Sequence, residues 1–183
     1  MDIVSGFHTD PVGLLLSHRA DWAIVSEVEQ NDDVLFKPLF SYEMVGICSK
    51  DHPLANKEVW QAEDFAEETW VTYPVPDDML DLYRQVLKPK GINPPRRTTE
   101  LTIALIQLVA SRRGIATVPY WAALPYLEKG YVVARKITEE GLYSNLYAAI
   151  RKEDANLAYI EDFHQTVKAQ SFSTLPGLSV LEL

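Results

Sequence analysis

The densest apolar pattern in the chain runs from Thr98 to Trp121, TTELTIALIQLVASRRGIATVPYW. Leu101, Ile103, Leu105, Ile106, Leu108 and Val109 fall on nearly every side of a helical period, and a helix apolar all round belongs in an interior. Gly114 stops this predicted helix, Ile115–Val118 reads as a short unbroken apolar strand, and Pro119 closes the unit. Such a strand suits a parallel sheet covered on both faces, so the segment is expected inside an α/β layer. In layers of this kind, helix N-termini and strand C-termini border the crevice where small ligands sit.

The same patterning organises the rest. DIVSG predicts a strand, Met1–Val4, running into a polar loop, Ser5–Asp10. Asp10 before Pro11 is a helix start, with Asp as N-cap and Pro at the first position, opening PVGLLLSHR. Further strands are expected at Trp22–Ser26, Val34–Phe40, Tyr42–Ser49, Thr69–Tyr73, Arg96–Thr98, Tyr131–Ile137 and Leu142–Ile150. KDHPLANK (50–57) reads as a turn. Helices are expected at Val59–Phe65, at Met79–Leu87 with Gly91 beyond its end, at Trp121–Lys129 before Gly130, and at Asn156–Lys168. In the last of these Ile160, Phe163 and Val167 share one stripe. The period is lost after Ser171, which predicts a tail over 171–183. Strands alternating with helices indicate α/β architecture with largely parallel sheets.

Charge narrows the partners. Seventeen basic against twenty-six acidic residues give −9, the wrong sign for a surface that must displace counterions from duplex DNA. No apolar run approaches the roughly 20 residues that span a bilayer, and no charged segment followed by an apolar stretch opens the chain. A cytoplasmic setting is expected. The lone Cys48, inside the apolar run VGICS, allows no intrachain disulfide and no cysteine cluster, and it is expected in the core. His8, His18, His52 and His164 stand singly, His52 in a turn expected at the surface. Asp77 and Asp78 fit helix capping better than an acid–base pair. No nucleophile elbow, P-loop, dinucleotide fingerprint or paired metal-ligand spacing occurs, so no metal, no cofactor and no catalysis are expected.

Binding chemistry is better represented. Thr98, Thr99 and Thr102 surround a helix start, whose open N–H groups attract an anion such as a carboxylate; capping alone explains them equally well. Ser5, Phe7, His8 and Thr9 form a second polar loop, and Tyr73 with Pro74 a third. Glu100 fits either an ammonium group or the positive end of the helix.

These residues resemble the effector-binding region of the LysR-type transcriptional regulators. The resemblance lies in the threonine-rich helix start running into VASRRGIATVP (109–119), in LYAAIR (146–151) and in the turn KDHPLA (50–55), and it extends over about residues 1–170. DIVSG followed by the Asp-Pro start, VTYPV and EEGLYSNLYAAIRK are similar to the methionine-biosynthesis regulators of that family, whose effector is homocysteine. The resemblance implies a two-lobed, type II periplasmic-binding-protein-like α/β fold with mixed, mostly parallel sheets. Lobe I would comprise 1–40 plus 141–170 and lobe II 41–140, with two crossovers as hinge and one antiparallel strand in each sheet, Tyr42–Ser49 and Leu142–Ile150. It implies effector contacts from Ser5, Phe7, His8, Thr9, Tyr73, Thr99, Glu100, Leu101, Thr102, Pro119 and Tyr120. It further implies a homo-oligomer, dimer or tetramer, that meets DNA only through a helix-turn-helix absent from this chain, and no membrane partner. The family's first lobe I strand and helix would precede Met1. Without them the fragment is expected to self-associate, or to fill the gap with its own Leu178–Leu183 as a strand. A solute-binding protein for an amino-acid-like ligand, or an enzyme on the same fold, are the alternatives; an upstream helix-turn-helix would exclude the first and product formation would identify the second.

Overall fold

The computed structural model describes residues 2–4 and 10–181. In chain order the elements are α1 (Pro11–Leu16), β1 (Ala23–Val25), β2 (Val34–Cys48), β3 (Val59–Trp60), β4 (Trp70–Thr72), β5 (Arg96–Thr98), α2 (Thr102–Ala110), β6 (Ile115–Pro119), α3 (Tyr120–Glu128), β7 (Val133–Ile137), β8 (Leu142–Arg151), α4 (Ala158–Thr174) and β9 (Leu178–Ser179). They divide into two compact units, Met1–Tyr42 with Ser144–Leu183, and Glu43–Tyr143.

In the Glu43–Tyr143 unit, β4 lies between β5 and β6 and is parallel to both, with Thr72 opposite Thr98 and Val71 opposite Ala116. β2 adds antiparallel to β6, and its last residues also pair antiparallel with β7, which in turn holds the short β3 in parallel. Successive side chains on a strand point to opposite faces. Trp70, Ile115 and Cys48 accordingly enter one apolar cluster, with Trp60, Phe65, Leu82, Leu87 and Ile137. Their neighbours Val71, Ala116 and Ile47 enter the other, with Leu105, Ile106, Val109, Val118 and Ala123. Both faces are covered, as the unbroken apolar strand requires. Gly114, at φ 145°, is the hinge between α2 and β6: a Cβ there would lie 2.1 Å from the Thr69 carbonyl oxygen, the acceptor of the Ile115 N–H.

Three expectations for this unit need correction. α2 is not buried all round. Leu105, Ile106 and Val109 cover the sheet, while Leu101 and Ile103 are 61% and 58% exposed, because one face of a helix suffices against a sheet and its first turn stands at the sheet's end. Val59–Phe65 is a strand followed by a 3-10 turn (Ala62–Phe65), since Trp60 is drawn wholly into the core and β3 pairs with β7. Met79–Leu87 is a 3-10 turn (Asp77–Met79), then a helix that widens to a π-turn (Tyr83–Leu87) and tightens again over Lys88–Lys90. Pro89 has no N–H to give the Gln85 carbonyl, which disturbs that last turn.

In the other unit Asp10 caps α1 as expected, accepting the Gly13 N–H at 2.9 Å. Val12 and Leu15 pack on Val25, Val34 and Ala149. β8 pairs antiparallel with β1, Ala23 opposite Ala149. α4 buries Ile160 and His164, sets Phe163 edge-on to Trp22 at 5.1 Å, and joins β2 through a Lys37–Glu161 ion pair of 2.5 Å. Here too the chain departs from expectation. Residues 2–4 form no strand, and Ile3 is 84% exposed. Val34–Cys48 is one strand, not two, because Ser41 carries no turn signal and takes part in pairing. The stretch from Ser171 is no tail: α4 runs on to Thr174, and Leu178–Ser179 pairs with β2, not with β1.

Candidate functional site

Because β4, β5 and β6 run parallel, their C-terminal ends share one edge of the sheet, and that edge gathers seven of the predicted residues. β4 delivers Tyr73 and β6 delivers Pro119 and Tyr120, the latter opening α3. β5 delivers Thr99, whose N–H continues the ladder to the Thr72 carbonyl at 3.0 Å. Glu100 and Leu101 turn the chain, and Thr102 begins α2. The side chains of Tyr73 and Thr102 are hydrogen-bonded, Oη to Oγ1, at 2.7 Å. Tyr73 and Tyr120 rest on the same apolar cluster beneath.

The start of α2 is bare of the usual cap. Its N-cap is Leu101, not a threonine, and no side chain of that residue can accept a bond. The first helical bond is Leu105 N–H to the Leu101 carbonyl, 2.9 Å, so the N–H groups of Thr102, Ile103 and Ala104 precede the helical ladder. The threonines expected to cap are used otherwise, Thr99 in the ladder and Thr102 with Tyr73. Helix N–H groups and a hydroxyl pair together favour a negatively charged or acceptor group. Burial raises the Tyr73 phenol above its ordinary value, more than the Thr102 bond lowers it, so it stays protonated and hydrogen-bonding.

Ser5, Phe7, His8 and Thr9 lie outside the described residues. Sequence reasoning named Tyr73 and Thr102 separately; no spacing rule joins residues this far apart. The other chemistry considered is structural. Cys48 is fully buried, and burial raises its thiol to about 11 despite the nearby Arg135. His52 is tucked in, its Nδ1 accepting the Leu54 N–H and its Nε2 3.2 Å from Glu68, since a residue before Pro53 can cap the turn that follows. Asp77 pairs with Arg96, which is stacked between the Trp70 and Tyr83 rings. Among the described residues no three His, Cys, Asp or Glu side chains could hold a metal. A wide depression of about 530 Å³ beside β7, lined by Ala55, Asn56, Glu58, Ala134, Arg135 and Lys136, includes none of the candidate residues. Its guanidinium is already spent on the Ala134 and Ala55 carbonyls, so the strand-end edge is the better site.

Residues 1–171 match the LysR substrate binding domain family. Over its whole length the chain is 85% identical to the HTH-type transcriptional regulator MetR of Haemophilus influenzae, of which it covers 59%. It is 36% identical over 176 residues to MetR of Salmonella typhimurium, of which it covers 55%. The chain thus spans little more than half the length of these relatives. The solved regulatory domain of NMB2055 (MetR), a LysR family regulator from N. meningitidis, is 66% identical with a TM-score of 0.90, covering 99% of this chain and 84% of that one. The effector binding domain of QuiR in complex with shikimate, 22% identical, shares the fold at a TM-score of 0.74 over 90% of this chain and 78% of its own.

Proposed function

The chain belongs to the LysR substrate binding domain family, as an effector-binding regulatory domain of the MetR type, and we propose that its effector is an amino acid, homocysteine, held at the strand-end edge of the Glu43–Tyr143 unit. One observation carries this reading: the start of α2 has an apolar N-cap and stands beside the Tyr73–Thr102 hydroxyl pair. An α-carboxylate would take those N–H groups. Glu100 in the same turn would meet the ammonium group, and Tyr73 and Tyr120 would wall the short thiol arm. Leu101 and Pro119 would complete its rim.

In this proposal the units are the family's two lobes, and the crossovers at Tyr42–Glu43 and Tyr143–Ser144 are the hinge. Effector binding biases lobe orientation in a cytoplasmic homo-oligomer, and the oligomer passes that bias to helix-turn-helix domains on DNA. Calorimetry of L-homocysteine against the full-length regulator tests it. Thr102→Ala should weaken binding by about 1–3 kcal/mol, the cost of losing one buried hydrogen-bond partner. Unchanged affinity removes Thr102 from the site.

A further inference from the structure

The last described residues are built onto the strand that leaves their unit. α4 ends where the hydroxyls of Ser173 and Thr174 both donate to the Gln170 carbonyl, at 2.9 and 2.7 Å. Leu175–Pro176–Gly177–Leu178 then reverses the chain. Proline suits the second position of a type II turn, and Gly177, at φ 76°, supplies the positive φ that the third demands. The turn lays β9 antiparallel on β2, Ser179 opposite Ser41 and Leu178 opposite Tyr42. That stretch of β2, a neighbour of β8 in the sheet, has further contacts. Phe172 of α4 sits edge-on to Phe40 at 6.2 Å, and Phe40 edge-on to Tyr42 at 6.2 Å. The Ser41 hydroxyl donates to the Ser144 carbonyl at 3.3 Å. The chain leaves this unit directly after Tyr42 and re-enters it at Ser144, so all these contacts fall on the two crossovers where they meet the unit.

We propose that residues 172–179 are a brace that stiffens both crossovers and sets how far the units move. The proposal rests on the hinge reading given above. A two-residue strand delivered by a tight turn is a small element, able to open locally without unfolding the helix before it. While β9 is seated, Ser41 and Tyr42 are flanked on its side and bending there must break the pairing. When it is released, the crossover loses that pairing and keeps the neighbouring β8, the Ser41–Ser144 bond and the Phe40 contact. The C-terminal segment thereby becomes a place where sequence change, or a partner that competes for β9, tunes the response to effector without touching the effector.

The test uses the 183-residue chain, a version lacking Pro176–Leu183, and a Gly177→Val variant whose turn is strained. Spin labels go on Arg19→Cys and Lys129→Cys, exposed positions one in each unit, Cys48 being buried. Both altered chains should at least double the width of the label-to-label distance distribution. Amide exchange over residues 38–44 should accelerate at least tenfold, while α2 and β6 keep their protection. Unchanged exchange over 38–44, or faster exchange with unchanged distances, overturns the brace. A control with two glycines inserted after Tyr143 separates the two ideas: if it too keeps the parent width, the hinge reading has failed, whereas a broad control beside a narrow truncation sinks the brace alone.

Discussion

Arg151, the last residue of β8, tests whether the Met1–Tyr42 and Ser144–Leu183 unit is held by one buried cation. Its side chain is 7% exposed. Nη1 donates to the carbonyls of Leu15 (2.8 Å) and Ala20 (2.5 Å), Nη2 to Asp21 (2.8 Å) and Nε to Asp154 (2.5 Å). Burial acts to lower its pKa, but Asp21 and Asp154 outweigh that and raise it overall, so the group is firmly charged. The partners differ in worth. Asp21 is 66% exposed, and a pair of that kind contributes about 0–1 kcal/mol. The Leu15 carbonyl keeps a second donor, the His18 N–H at 3.0 Å. The cost of Arg151→Ala therefore falls on the Ala20 carbonyl and on Asp154, only 19% exposed, which lose a charged donor together. Breaking a buried pair costs about 3–5 kcal/mol, and because Asp154 can turn partly to water the lower end applies. Arg151→Lys, a point charge without the planar fork, should lose about half as much. Urea unfolding followed by circular dichroism gives the totals, and amide exchange over residues 11–25 locates them. A loss under about 1 kcal/mol for Arg151→Ala, or an equal loss for Asp21→Asn, refutes the reasoning, since the buried acceptors would then carry nothing.

Two further outcomes concern titratable groups. His164 is buried on α4, and its pKa is lowered by burial first and by the Lys37 and Lys168 cations, with Glu161 opposing. A depressed folded value means the neutral ring is favoured. The stability it contributes is complete above the ordinary histidine range and is lost as pH falls through the folded value. Urea midpoints should fall on acidification from neutrality, and His164→Gln should flatten that slope; equal slopes in parent and variant would remove His164 as its cause. Cys48, with its thiol near 11, should resist a disulfide reagent in the folded chain and react fully in urea. Rapid reaction of the folded chain would show that β2 opens readily at its end.

What could be read along the chain is what near neighbours decide. Asp10 and Pro11 meet within one turn, so the capped start of α1 was legible. The unbroken apolar run of β6 showed that both faces of its sheet are covered. Short elements were less legible, because Pro89 and the pull of Trp60 into the core override local helical spacing. Four of the predicted contact residues, Ser5, Phe7, His8 and Thr9, fall outside the described residues.

Other features depend on groups far apart in sequence. The Tyr73–Thr102 bond, the Lys37–Glu161 pair and the seating of β9 on β2 each join residues whose closeness no periodicity encodes. The amino-acid order alone determined an α/β layer with a polar helix start at a strand-end edge, since propensity, capping and burial pattern act over a few residues. Only the tertiary structure decided that Leu101 and not a threonine occupies the cap position, and that Leu178–Ser179 takes its place beside β2. Those outcomes follow from packing and pairing, whose free energy exists only once distant segments have met.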